Sequence, residues 1–217
     1  AEDPVDVVSG AVPDLQELRT VFSVPEVGPV ELLLLFDFDE RGKLISRSGS
    51  TVTENGGSTD VSAKGTLKVK NGVALYKISL KDSSGSVKAK IAGIVGDSQG
   101  LVSYKGSNGR FKGAAPVETV APLVDLRIEP TQISVDEKGR IAGTVRVSSH
   151  LGTVDGVLKG KLKNGLLSWK VSAGKTKIRF KKGSSTADGY VGGLKWKAAP
   201  GKGAVVGFTS RLLNELP

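Results

Sequence analysis

The feature that most constrains this chain is a period-two alternation of apolar and polar residues that begins near residue 30. Gly, Asn-Gly or Asp/Ser-Gly interrupts it every eight to twelve residues. Period two sends alternate side chains to opposite faces of a strand, and turn residues at that spacing fold such strands back as antiparallel hairpins. Two hairpins stand out. Thr66 to Lys70 turns at Asn71-Gly72 into Val73 to Ile78, and Leu158 to Lys163 turns at Asn164-Gly165 into Leu166 to Val171. Asn-Gly supplies the two positive-φ positions that a type I′ turn needs. The expected fold class is therefore all-β and antiparallel.

The same hairpins expose an internal repeat. Asp39-Glu40-Arg41-Gly42-Lys43-Leu44 matches Asp136-Glu137-Lys138-Gly139-Arg140-Ile141, and Lys70-Asn71-Gly72 with Tyr76-Lys77 matches Lys163-Asn164-Gly165 with Trp169-Lys170. Further along, Lys88-Ala89-Lys90-Ile91 matches Lys177-Ile178-Arg179-Phe180, and Lys112 to Pro116 resembles Lys197 to Pro200. The matches keep their order, and Asp82-Ser83-Ser84-Gly85 shrinks to Gly174-Lys175 where the spacing changes. This predicts an acidic, Pro-containing lead segment over 1–29, β copies over 30–117 and 124–217, and a linker over 118–123. Each copy offers about six strands, which form barrel-like or sandwich units, or together one large barrel, because closure removes sheet edges that could pair with other chains. Glycine inside Ile141 to Val145 and Tyr190 to Leu194 points to strong bending or close backbone approach. The lead segment reads as extended, with one short helix at Pro13 to Arg19 that places Leu15 and Leu18 on one face with Phe22.

Composition narrows the chemistry. The 217 residues include no Cys, no Met and a single His, which excludes disulfide frameworks, thiolate metal sites and Cys nucleophiles. No apolar run reaches the roughly 18 residues of a membrane helix. A chain that starts Ala1-Glu2-Asp3-Pro4 without Met reads as a processed product, with an extracellular, periplasmic or cell-surface location expected. Charge is asymmetric. Residues 1–40 hold ten acids against Arg19 alone, whereas the rest holds 30 Lys and Arg against 12 Asp and Glu. An acidic lead can fold onto the basic body, or the body can recruit an anionic partner.

Three candidate sites reduce to ordinary structure. Asp37-Phe38-Asp39-Glu40-Arg41-Gly42 resembles the opening of a calcium loop, yet Arg41 stands where a ligand is needed, and a hairpin turn with Gly in the left-handed position accounts for both copies. His150, between Ser149 and Leu151, sits in a loop pattern with no nucleophile at useful spacing. Tyr76 and Trp169, at equivalent places, read as core residues rather than sugar-stacking rings, and Tyr104, Tyr190 and Trp196 follow them. The chain is accordingly read as a non-enzyme with no catalytic, metal or cofactor residues.

What remains is lysine at alternate strand positions: Lys68 and Lys70, Lys88 and Lys90, Lys159, Lys161 and Lys163, then Lys177, Arg179 and Lys181. Lys195 and Lys197 continue the pattern, while Leu67, Val69, Leu158, Leu162, Ile178 and Phe180 take the other face. Scattered lysines such as Lys105, Lys138 and Lys202 are read as loop charges. This predicts a cationic wall, either an ordinary solvated face whose lysines discourage edge pairing or a surface for anionic polysaccharide or a cell-envelope component. Aromatics do not interleave the basic strands, which excludes sequence-specific nucleic-acid reading. The reading is a secreted or cell-surface structural or binding module. Its rivals are a barrel carrier of an apolar or lipid ligand with 1–29 as plug or lid, and a carbohydrate-active enzyme.

Overall fold

The computed structural model describes residues 8–39, 42–70, 73–149, 152–197 and 202–213. Among these residues the chain is all-β: seventeen strands and no helix. They are β1 (Val8–Pro13), β2 (Glu17–Val24), β3 (Gly28–Phe38), β4 (Leu44–Ser46), β5 (Thr51–Glu54), β6 (Gly57–Lys70), β7 (Val73–Asp82), β8 (Lys88–Ile94) and β9 (Gln99–Lys105). There follow β10 (Arg110–Val120), β11 (Leu123–Val135), β12 (Arg140–Ser149), β13 (Gly152–Lys163), β14 (Leu166–Ala173), β15 (Thr176–Thr186), β16 (Gly189–Lys197) and β17 (Lys202–Ser210). No helix here is long and apolar enough to cross a membrane. Two compact units divide the chain, one of Pro13–Lys68 with Val73–Pro122, the other built mainly from Leu123 onward.

The first unit closes on itself. Antiparallel pairing runs from β2 to β3, through β4 and β5 to β6, then to β7, β8, β9 and β10, and β10 returns to β2 with Val117 opposite Thr20. Because β4 and β5 lie in series between β3 and β6, the ring has eight staves. Eight is the number at which side chains alone can fill a barrel. Ser50 manages the break between β4 and β5: its buried hydroxyl accepts the Leu35 N–H at 3.0 Å and donates to the Arg47 carbonyl at 3.0 Å. Inside, Leu18, Leu32, Leu34, Phe36, Leu67, Ile78, Ile91, Val102 and Val117 form one buried cluster.

The short helix expected at Pro13 to Arg19 does not form. Glu17–Val24 is strand β2, with Leu18, Thr20, Phe22 and Val24 buried on alternate positions, so period two governs this stretch and the Leu15–Leu18 spacing is coincidental. Leu15, Leu18 and Phe22 do enter the core, but Leu18 and Phe22 do so as part of a stave rather than of a plug.

In the second unit β11 to β17 follow one another as antiparallel neighbours, and β1 pairs with both β17 and β11. Its buried face carries Leu126, Ile128, Val145, Leu158, Leu167, Ile178 and Phe180. Trp169 stacks on Phe180 with ring centroids 5.5 Å apart, and its indole N–H donates to the buried Ser210 hydroxyl at 3.0 Å. Of the glycines flagged inside strands, Gly143 and Gly192 sit at close approaches, whereas Gly193 has open space beside it. A Cβ on Gly143 would fall 2.0 Å from the Gln132 carbonyl oxygen, beside the β11 bulge between Pro130 and Gln132. One on Gly192 would fall 2.8 Å from the Lys181 carbonyl oxygen.

The turns follow the sequence reading where they are described. Asn164 and Gly165 have φ of 53° and 73°, and Lys163 faces Leu166 across them. Asn71-Gly72 lies outside the described residues. At Asp136 the carboxylate accepts the backbone N–H groups of Lys138 and Arg140, each at 2.9 Å, and Gly139 has φ 73°. Asp39 accepts the Lys43 N–H at 2.8 Å with Gly42 at the same φ of 73°. Both carboxylates thus serve the turns. His150 lies outside the described residues.

Candidate functional site

Strand register decides what the lysines can do, because residues directly opposite across neighbouring strands bring their Cβ atoms within about 4.5–5.5 Å of each other. In the second unit Lys159 on β13 faces Lys170 on β14, Lys170 faces Arg179 on β15, and Arg179 faces Lys195 on β16. Four cations therefore stand in one row on the outer face, each exposed. The next row along the strands adds Lys177 and Lys197, opposite each other and beside Ser172. On the other side Lys161 faces Ser168, whose hydroxyl accepts the Lys182 N–H at 3.1 Å. A shallow trough of about 420 Å3 runs over this face, lined by Lys159, Lys161, Lys170, Arg179 and Lys181 with no carboxylate.

The first unit carries a row of its own. Lys81 on β7 faces Lys88 on β8, Lys88 faces Lys105 on β9, and Lys105 faces Arg110 on β10. One row further along, Ser79, Lys90, Ser103 and Lys112 face one another in the same way. A trough of about 490 Å3 lies here, lined by Lys64, Lys81, Lys88, Lys90 and Lys105 with three serines.

The rows are electrostatically unrelieved. Among the described residues none of the eight row cations enters an ion pair, whereas Arg19 makes a two-point contact with Glu31 at 3.1 Å, and Arg140 meets Asp136 at 2.7 Å. Two acids of the lead region find cations nearby in the chain: Glu31 pairs with Arg19 on the neighbouring strand, and Asp37 lies 3.9 Å from Arg47. Directly opposed like charges weaken a sheet. Each row is thus a local cost to the fold.

Of the sequence-flagged cations, Lys159, Lys161, Arg179 and Lys181 gather in one trough and Lys88 and Lys90 in the other. Lys163 and Lys177 are exposed on the same face as the former group. Lys68 and Lys70 do not join Lys88 and Lys90. Lys68 lines a different depression beside Leu75, and Lys70 belongs with the other unit. Lys105 is not a loop charge, since it closes β9 inside the four-cation row. Lys81, Lys105, Arg110 and Lys170 escape a sequence search for alternating lysines because each contributes its row charge from a different strand. Only the register assembles them.

The aromatics are core. Tyr76, Tyr104, Trp169 and Trp196 are all buried, and Tyr190 is half-buried. Burial, together with a 2.9 Å hydrogen bond from its hydroxyl to the Glu54 carboxylate, pushes the Tyr104 phenol above its ordinary range. Burial also raises Tyr76, with a smaller push from Asp97. Asp82 is held below the usual carboxylate range by the Ser84 hydroxyl at 2.7 Å and the Val87 N–H at 3.1 Å, which order the β7–β8 turn beside the Lys81–Lys88 pair. No family model, curated protein or solved structure matches the chain.

Proposed function

We propose that this chain is a non-enzymatic binding module that works outside the cell or in its envelope and holds anionic polymers such as acidic polysaccharides on two organised cationic faces. The observation that carries the reading is the pair of four-cation rows, Lys81–Lys88–Lys105–Arg110 and Lys159–Lys170–Arg179–Lys195, in lattices free of carboxylates. A row of like charges costs stability when empty and is relieved when a polyanion lies across it. Lysine suits this task because a flexible point charge follows a repeating anion without demanding one geometry.

By the sequence matches, Lys170 and Arg179 correspond to Lys77 and Lys90. Those two residues face Ala92 and Ser79, so the rows stand at non-equivalent places in the two copies. A row merely inherited through duplication would keep its place. The packed interior of the eight-stave ring, with Leu, Ile, Val and Phe from successive staves, also favours a surface reading over a carrier that holds its ligand in the lumen.

Heparin affinity with a salt gradient tests this. The triple variant Lys159→Gln, Lys170→Gln, Arg179→Gln should elute at clearly lower salt than the parent. A variant with Lys43→Gln, Arg47→Gln and Lys138→Gln removes the same charge from outside the rows and should move much less. Equal shifts would mean that net charge alone acts.

A further inference from the structure

The outer face of β7 to β10 is graded, and the gradient names a ligand. Beyond the Lys81 row and the Ser79–Lys90–Ser103–Lys112 row, the next row reads Lys77, Ala92, Leu101, Ala114, and the one after begins with Leu75 opposite Ile94. Successive rows lie two residues apart, about 6.6 Å along the strands. Charge therefore gives way to exposed apolar surface within roughly 13 Å. Leu101 is 66% and Leu75 41% exposed, the former the highest value for any large apolar side chain described. Between them an apolar trough of about 530 Å3 opens. It stays open because the outward side chains between the leucines are the small Ala92 and Ala114, while Gly93 and Gly100 face inward and leave room for the buried Tyr76 hydroxyl.

The cations frame the trough rather than avoid it. Lys68 and Lys77 line it together with the carboxylate of Asp97, and Lys90 and Lys112 line the adjoining depression that shares Leu101. Apolar residues rimmed by long cationic side chains fit a surface that is apolar just below a layer of negative charge, since lysine stems lie along apolar surface while their heads reach the anions. The face of the second unit lacks this: its corresponding trough is lined by Lys, Arg, Ser and Gly with buried Trp169 and Phe180.

We propose that the β7–β10 face docks flat on an anionic lipid surface, with Leu75 and Leu101 entering between headgroups whose phosphates lie on Lys77, Lys90 and Lys112. The inference rests on the reading that the rows take anions, and adds that on this face the anion is a lipid headgroup. Anionic surfaces attract nearby basic side chains over about a Debye length, and the leucines add contact that salt does not screen.

Co-sedimentation of the full chain with vesicles of phosphatidylcholine containing one quarter phosphatidylglycerol tests it, beside plain phosphatidylcholine vesicles and a heparin column. The parent should bind the anionic vesicles at least tenfold better than the neutral ones. Leu75→Gln with Leu101→Gln should lower anionic-vesicle partitioning about tenfold and leave heparin elution unchanged, as expected for loss of two partly buried leucines. Leu101→Trp should keep binding and show blue-shifted emission on vesicles, which guards against a folding defect in the Gln variant. Unchanged partitioning of the double Gln variant, or heparin retention by a parent that ignores both vesicles, overturns the lipid proposal and leaves the polymer reading standing. A parent that binds neither vesicles nor heparin overturns both.

Discussion

Lys170 stands between Lys159 and Arg179, so Lys170→Gln removes two of the three like-charge contacts in its row while keeping the first two methylenes of the stem. With the charged heads splayed to about 8 Å in water, each contact costs about 0.5 kcal/mol before screening. Salt sets how much survives. With a Debye length of about 30 Å at 0.01 M and 3 Å at 1 M, the two contacts together cost about 0.8 kcal/mol at low salt and about 0.1 kcal/mol at high salt. The variant should therefore be more stable than the parent by about 0.8 kcal/mol in 0.01 M salt, with the gain disappearing by 1 M. Urea titration followed by tryptophan emission reads this directly, because both tryptophans of the chain, Trp169 and Trp196, are buried in the unit that holds the row. At typical slopes of about 1–3 kcal/mol per molar, the low-salt midpoint should rise by about 0.3–0.8 M. The same variant should bind heparin less tightly. A midpoint that falls, or that rises equally at both salt concentrations, would refute the idea that the row is held under repulsion.

Other expectations follow from single contacts. Gly143→Ala would drive a methyl group into the Gln132 carbonyl, so β11 and β12 must part locally, with a loss of about 3 kcal/mol in the tryptophan-reported transition. Ser210→Ala leaves the buried Trp169 indole N–H without its acceptor, which should cost about 1–3 kcal/mol and alter the emission maximum of the native state. The Tyr104 phenol is raised above its ordinary value of 10.0, so the folded state favours the neutral form. The stability this gives is complete below about pH 10 and declines as pH rises further, and Tyr104→Phe should flatten that alkaline decline in melting temperature.

Much of this fold is legible in the residues. Alternation over Leu158 to Lys163 and Thr176 to Lys181 places Leu158, Ile178 and Phe180 inside and their lysine neighbours outside, as period two requires. The Asn164-Gly165 turn is equally plain, because few sequences tolerate two successive positive φ angles. The Pro13 to Arg19 stretch misleads because Pro and acids at its start imitate a helix N-terminus, while its partners Leu32 to Leu35, which make Glu17 to Thr20 a strand, lie twelve to eighteen residues away in sequence. The candidate site is half legible for a related reason. Lysines on one strand can be read by counting in twos, but Lys81, Lys88, Lys105 and Arg110 become neighbours only through three separate strand pairings. Turn lengths set those registers, and they do not follow from the alternation itself.

The central claim, that polyanions lie across organised rows rather than in a diffuse cloud, is tested most directly by backbone amide NMR shifts during titration with a heparin-derived octasaccharide. The account predicts saturable shifts concentrated at Lys81, Lys88, Lys105 and Arg110 and at Lys159, Lys170, Arg179 and Lys195, with Lys43, Arg47 and Lys138 left nearly unmoved. Shifts spread evenly over exposed cations on and off the rows would contradict it.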